Sequence, residues 1–243
     1  MKHSYSLLVI ILTACWQPAT GQTSRDQTEA LAVYQQANGA ATGQALRTAL
    51  AQHSAGFLNS GTFQFGSLRT ADGRSRPVAG LRYHPGLQVL EAQDSVDLET
   101  THLWRPGSLR GFDLGEAGDP DVPLRRFRCR LVKEGGGAPR REFVEVITAI
   151  DAGPMLLAWF YTAASAPTAS GHQPPVATLL AGPGTTGSDP LRPIEPTQAG
   201  VLRLFGARAD NVRSFAATQQ LDYTRPADIA RMMDYYNRIA VVK

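Results

Sequence analysis

Apolar positions follow a helical period near both ends of this chain and a strand-like period through its middle. The densest apolar stretch runs from Glu142 to Tyr161. Phe143 to Ile150 is rich in β-branched and aromatic residues, Asp151-Ala-Gly-Pro154 interrupts it, and Met155 to Tyr161 resumes it. Two apolar runs of strand length around a Gly-Pro breaker predict a β-hairpin. Both runs are apolar on both faces, which predicts a hairpin central in a sheet covered on each side.

Toward the N-terminus, Asp26 to Asn38 reads as a helix, with Leu31 and Tyr34 three apart and Asn38-Gly39 ending it. Gly43 to His53 reads as a second short helix, with Leu46 and Leu50 four apart. From Gly56 the period changes. Gly80 to Leu90 predicts strand, Pro-Gly turn and strand, with Leu81 and Tyr83 on one face and Arg82 and His84 on the other. Asp94 to Leu98 alternates in part, which places Val96 and Leu98 inward. Leu103 to Leu114 reads as strand interrupted at Pro106-Gly107. Val122 to Val132 is the clearest half-buried strand, Phe127, Cys129 and Leu131 alternating with Arg126, Arg128 and Arg130.

Composition shifts after Tyr161. Residues 162–196 are dominated by Ala, Thr, Ser, Gly and Pro and read as a linker, with only Val176 to Leu180 suited to a brief ordered element. Three C-terminal helices follow: Gln198 to Phe205, one capped by Asp210, and one capped by Thr224 whose Ile229, Met232, Met233 and Tyr236 form an apolar stripe. The fold class is therefore α+β. A largely antiparallel, curved β-sheet over residues 56–161 stands between an N-terminal helical segment, residues 22–55, and C-terminal helices in residues 197–243.

The first residues bear on location. A polar start at Lys2 and His3 precedes an apolar run from Leu7 to Leu12, the pattern of an export signal. The run is too short to span a bilayer, which takes about 20 apolar residues. Two cleavage readings stand. Ordinary signal peptidase would remove residues 1–21; a lipobox at Leu12 to Cys15 would remove residues 1–14 and leave Cys15 lipidated. Either reading predicts an exported protein, periplasmic, carried on the outer membrane as a lipoprotein, or secreted. Any membrane attachment then rests on a lipid at Cys15. The other cysteine, Cys129, alternates with apolar residues and reads as a small buried hydrophobe.

Apolar residues make up 43% of the 243 positions, enough to fold around a core. The net charge of +3 is too weak to predict nucleic acid as a partner. No nucleophile elbow, metal-ligand spacing or phosphate-binding loop occurs, so no catalytic, metal or cofactor-binding residue is assigned and no cofactor is expected. His53, His84, His102 and His172 are scattered, and Glu116, Asp119 and Asp121 lack the spacing of a calcium-binding hand. Charge concentrates in one place. Arg126, Arg128 and Arg130 form a candidate surface for an anion or partner, whether a lipid headgroup or an acidic envelope protein. The competing reading is a solvated strand face paired with the acidic segment Glu91 to Glu99.

Gly80 to Tyr83, Leu109 to Leu114, the two arms of the Glu142–Tyr161 hairpin and the closing Asp228 to Asn237 together resemble uncharacterised exported β-rich proteins of Bacteroidetes-type bacteria. That resemblance implies no assigned activity and carries over no functional residue. The function predicted is that of a non-catalytic exported envelope protein, a structural or protein-interaction module. The alternatives are a carrier holding a lipid or other apolar ligand in a pocket between sheet and helices, and an enzyme of unrecognised type.

Overall fold

A computed structural model describes residues 40–52, 54–94, 96–162, 176–184 and 189–241. The export signal, Cys15 and the predicted helix at Asp26 to Asn38 lie outside the described residues. The chain divides into two compact units, Met1–Thr48 and Ala49–Lys243. Helix α1, Ala40–Gln52, crosses that boundary; within it the Thr48 hydroxyl donates back to the Gln44 carbonyl.

The second unit carries one unclosed antiparallel sheet of ten strands, in the order β10-β9-β8-β7-β6-β5-β1-β2-β3-β4. These are β1 Gln64–Arg69, β2 Ser75–His84, β3 Val89–Gln93, β4 Thr101–Trp104, β5 Gly111–Leu114, β6 Arg125–Val132, β7 Arg140–Val146, β8 Leu156–Thr162, β9 Val176–Gly182 and β10 Arg192–Pro193. Two meanders, β1 to β4 and β5 to β10, join where β1 pairs with β5. Three α-helices follow: α2 Gln198–Arg203, α3 Ala209–Thr218 and α4 Pro226–Val241.

The sheet curves strongly. Backbones approach closely where β1, β5 and β6 pair: a Cβ on Gly66 would lie 2.2 Å from the Asp113 carbonyl oxygen, and one on Gly111 2.2 Å from that of Phe127. Only glycine fits at either place. A register shift between Gln64 and Gly66 adds to the bend. Curvature brings the β2–β3 turn to β7 and β8, though these strands stand far apart in the sheet order. There Gln88, itself left-handed at φ 52°, accepts the Phe143 N–H at 2.7 Å and donates to the Tyr161 carbonyl at 3.4 Å.

One face of the sheet is covered in two ways. Over β1–β3 and β5–β7 the curved sheet packs its own side chains together around Leu81, Tyr83, Phe112, Phe127 and Phe143. Phe112 stacks on Phe127 at 4.7 Å, and Tyr83 and Phe143 meet that pair edge-on or tilted. Over β8 and β9 the helices cover Leu157, Trp159 and Leu179 with Val201, Phe205, Val212, Ile229, Met232 and Met233. The opposite face packs Val132, Val144, Val146, Leu156, Phe160 and Leu180 under Leu191. The predicted central hairpin is thus β7–β8, covered on both faces.

Several expectations change. The brief ordered element expected at Val176 to Leu180 is strand β9, extending to Gly182, and Leu191 to Pro193, inside the stretch read as a linker, add a bridge and a further strand. Leu191 is 1% exposed and bonds to β6 through Leu131 and Lys133. The small residues of β9 pack against β8 along its full length, which composition does not register. Asp210 lies in the first turn of α3, whose cap position is Arg208 without a side-chain bond. Thr224 is held by Asp222 just before α4.

Candidate functional site

The alternation of β6 puts Arg126, Arg128 and Arg130 on the face opposite Phe127 and Cys129, as the pattern predicts. Their surroundings differ from the prediction. Arg128 is 3% exposed and Arg130 9%, so this is not an open cationic stripe. The ladder aligns Ser67, Asp113 and Arg126 in one row across β1, β5 and β6. Asp113 accepts from Arg128 at 2.6 Å, from Arg69 at 3.0 Å and from Ser67. Asp151, in the β7–β8 turn, takes both Arg126, at 2.8 Å, and Arg128. Arg130 donates to the carbonyls of Cys129, Asp151 and Gly184. The expected pairing with Glu91 to Glu99 does not occur; Glu91 is bonded to Arg82 at 2.7 Å and to Thr101.

These guanidiniums fasten the β7–β8 turn to the middle of the sheet. Buried charges of this kind hold register, since removing one partner strands the other away from water. Burial pulls the Arg130 guanidinium below its ordinary value, partly offset by Asp151. Arg125, the neighbouring residue on β6, points the other way. It grips Glu145 through two bonds of 2.8 and 2.7 Å while Tyr161 bonds both. Burial pulls the Arg125 guanidinium down, but the bond and charge of Glu145 outweigh it and hold it above its usual range. Pattern reading misses this network because Glu145 interrupts an apolar row, Phe127–Glu145–Trp159–Leu179, without any local sign of a partner.

Of the remaining sequence candidates, His53 and His172 lie outside the described residues, and the following are structural. Cys129 is buried, its Sγ accepts the Gly107 N–H at 3.3 Å, and burial pushes the thiol up, away from a reactive thiolate. His84, read as a solvated turn residue, is 4% exposed and accepts the Leu87 N–H at 3.1 Å. His102 pairs with Asp94. Asp119 closes its own turn on Asp121 and Val122. Among the described residues no group of His, Cys, Asp and Glu is placed to hold a metal ion, and no helix is long and apolar enough to cross a membrane.

Two features face outward instead. The first is the β3–β4 hairpin tip at the end of the sheet. Val96 is 93% exposed and Leu98 57%, which overturns their inward assignment. The Asp94 carboxylate accepts the N–H groups of Val96 and Asp97, and Asp97 accepts that of Glu99 and the Thr100 hydroxyl. Side chains that read as the polar half of a strand fold the backbone into a turn. The same bonds hold both carboxyls below their ordinary range, led by the Val96 N–H at Asp94 and the Thr100 hydroxyl at Asp97.

The second is a groove of about 800 Å³ lined by Ala149, Ile150, Phe215, Arg231, Asp234 and Arg238, with Gln219 and Asn237. It runs along the rim of the helix-covered core, whose interior is filled by the side chains named above. Asn237 fixes the rim by bonding the N–H and carbonyl of Met155, each at 2.8 Å, and Asp234 accepts the Ala149 N–H with both oxygens. Comparison of the chain with protein-family models, curated proteins and solved structures found no match.

Proposed function

We propose that the protein is a non-catalytic interaction module of the cell envelope that engages a partner protein through the β3–β4 hairpin tip. One observation carries the reading. Val96 and Leu98 stand in water on a turn that four bonds from Asp94 and Asp97 hold in shape. A single exposed Leu is ordinary surface. Two branched side chains presented on a fixed turn lose little freedom on binding, which favours association. Asp94, Asp97 and Glu99 rim the pair with negative charge, so the fitting partner is a protein with an apolar cleft bordered by Lys or Arg. Export is supported by the Leu7–Leu12 run and by Cys15.

A photo-crosslinking residue at position 96, introduced in cells that make the protein, tests this. One discrete adduct is expected, absent when the crosslinker sits at Asp210, 84% exposed on α3, and lost when Leu98 becomes Asp. The same adducts from positions 96 and 210, or none from 96, would remove the tip from consideration.

A further inference from the structure

The groove beside α4 is independent of the hairpin tip and has its own chemistry. Positions 231, 234, 235 and 238 of α4 are spaced to share one side of the helix. Asp234 is occupied by Ala149, and Arg231 leans toward Asp228 at 3.7 Å. Arg238 has no ion pair among the described residues; its guanidinium lies 6.0 Å from the Tyr235 ring centre. Across the groove Phe215 presents one side of its ring and stacks the other on Tyr235, the centres 4.2 Å apart and the planes within 3°. Ile150, 49% exposed, forms the far lip. An exposed guanidinium, attracted by the Asp234 charge but not bonded to it, thus lines an apolar groove with rigid aromatic backing. The volume lies in the range that takes one small molecule, about 300–1,000 Å³.

We propose that this groove binds an amphipathic carboxylate, with the head group on Arg238 and the aliphatic body laid along Phe215 and Ile150. A carboxylate matches the planar fork of arginine. An apolar body without a charge would gain nothing from Arg238, and a cationic head would meet both Arg231 and Arg238. Asp234 is an anion in the same groove wall and opposes an acid, but Arg231 and Arg238 outnumber it.

Calorimetric titration of the full chain with decanoate, decanol and decyltrimethylammonium, each below its micelle concentration, tests the assignment. Decanoate should bind about tenfold more tightly than decanol, the worth of one good charge-assisted contact, and the ammonium most weakly. R238Q should bring decanoate down to the affinity of decanol and leave decanol unchanged. Ile150→Ser, on an exposed turn, should weaken decanoate and decanol alike, with circular dichroism confirming the fold. The double variant V96D/L98D should bind decanoate like the parent, which separates this site from the hairpin tip. Equal affinity for the three amphiphiles, undetectable decanoate binding, or decanoate binding indifferent to both R238Q and Ile150→Ser would each overturn the proposal.

Discussion

The same face of one sheet is sealed by two different means, and the difference shows what each half has to do. Over β1–β3 and β5–β7 the strands bend until four aromatic rings meet. Over β8–β9 the strands carry Leu, Ala and the partly buried Trp159, and helices supply the rest of the bulk. Between the halves lies the Arg125–Glu145–Tyr161 network. A strongly curved sheet that covers its own face needs large side chains and close backbone crossings. A helix laid on a sheet makes a seam wherever the two diverge, and the 800 Å³ groove lies along one.

The largest effect should come from the aromatic half. Phe143 is fully buried and packs against Phe112 and Tyr83. Phe143→Ala should cost about 3–5 kcal/mol, the cost of a cavity left by an aromatic ring. Strands on either side hold the backbone, so little collapse can offset it. Urea denaturation measures this. A loss near 1 kcal/mol would mean that the aromatic cluster relaxes freely and does not govern the curvature.

Next in size is the boundary. Glu145→Gln keeps the shape but leaves the Arg125 guanidinium half-buried without its counter-charge. A loss of about 2–3 kcal/mol is expected, in line with hydrogen bonds to charged groups. The double variant with Arg125→Met should recover part of it, since an apolar pair of similar size asks for no charge compensation. No recovery would mean that Glu145 acts mainly through Tyr161.

The alternation of β6, the Pro-Gly turn at Pro85, the β7–β8 hairpin and the α4 stripe are all legible in the sequence because each is a local period. What covers each face is not. Arg126, Arg128 and Arg130 read as a solvated face, yet their carboxylates, Asp113 and Asp151, lie 15 and 23 residues from Arg128 and meet it only once the strands pair. Asp151 reads simply as part of a breaker. Gln88 is an unremarkable turn residue until curvature brings Phe143 within 2.7 Å. Val96 and Leu98 fit strand alternation as well as a turn. The choice belongs to Asp94 and Asp97, whose side chains compete with the ladder for backbone N–H groups. The groove draws on a turn and two helices, and no single period reports it.

On the helix-covered half the expected effect is smaller and local. Asn237, 2% exposed, clamps both backbone groups of Met155. Asn237→Ala should cost about 1–3 kcal/mol for two part-buried backbone groups left unpaired. Hydrogen exchange should rise across α4 and the β7–β8 turn and stay unchanged in β1–β3. Uniform loss of protection would show that the two halves open as one unit.

The finest contrast is in acid. Hydrogen bonds to Val96 and Asp97 and the neighbouring His102 hold the Asp94 carboxyl below its ordinary value of 3.8, and the Thr100 and Glu99 bonds do the same for Asp97. A lowered acid stabilises the fold above the unfolded value, and that contribution is lost as pH falls through the lower folded value. Asp234 has the opposite sign. Burial raises its carboxyl above 3.8, against the pull of the Ala149 N–H, Arg126 and Arg238. Its charged form therefore costs stability, and that cost sets in as pH rises through the raised value. One NMR titration reads both. The Val96 and Glu99 amides should shift with midpoints below 3.8, and the Ala149 amide, bonded to Asp234, with a midpoint above it. Midpoints coinciding at 3.8 would mean that neither the bonds at the tip nor the burial beside α4 persists in solution.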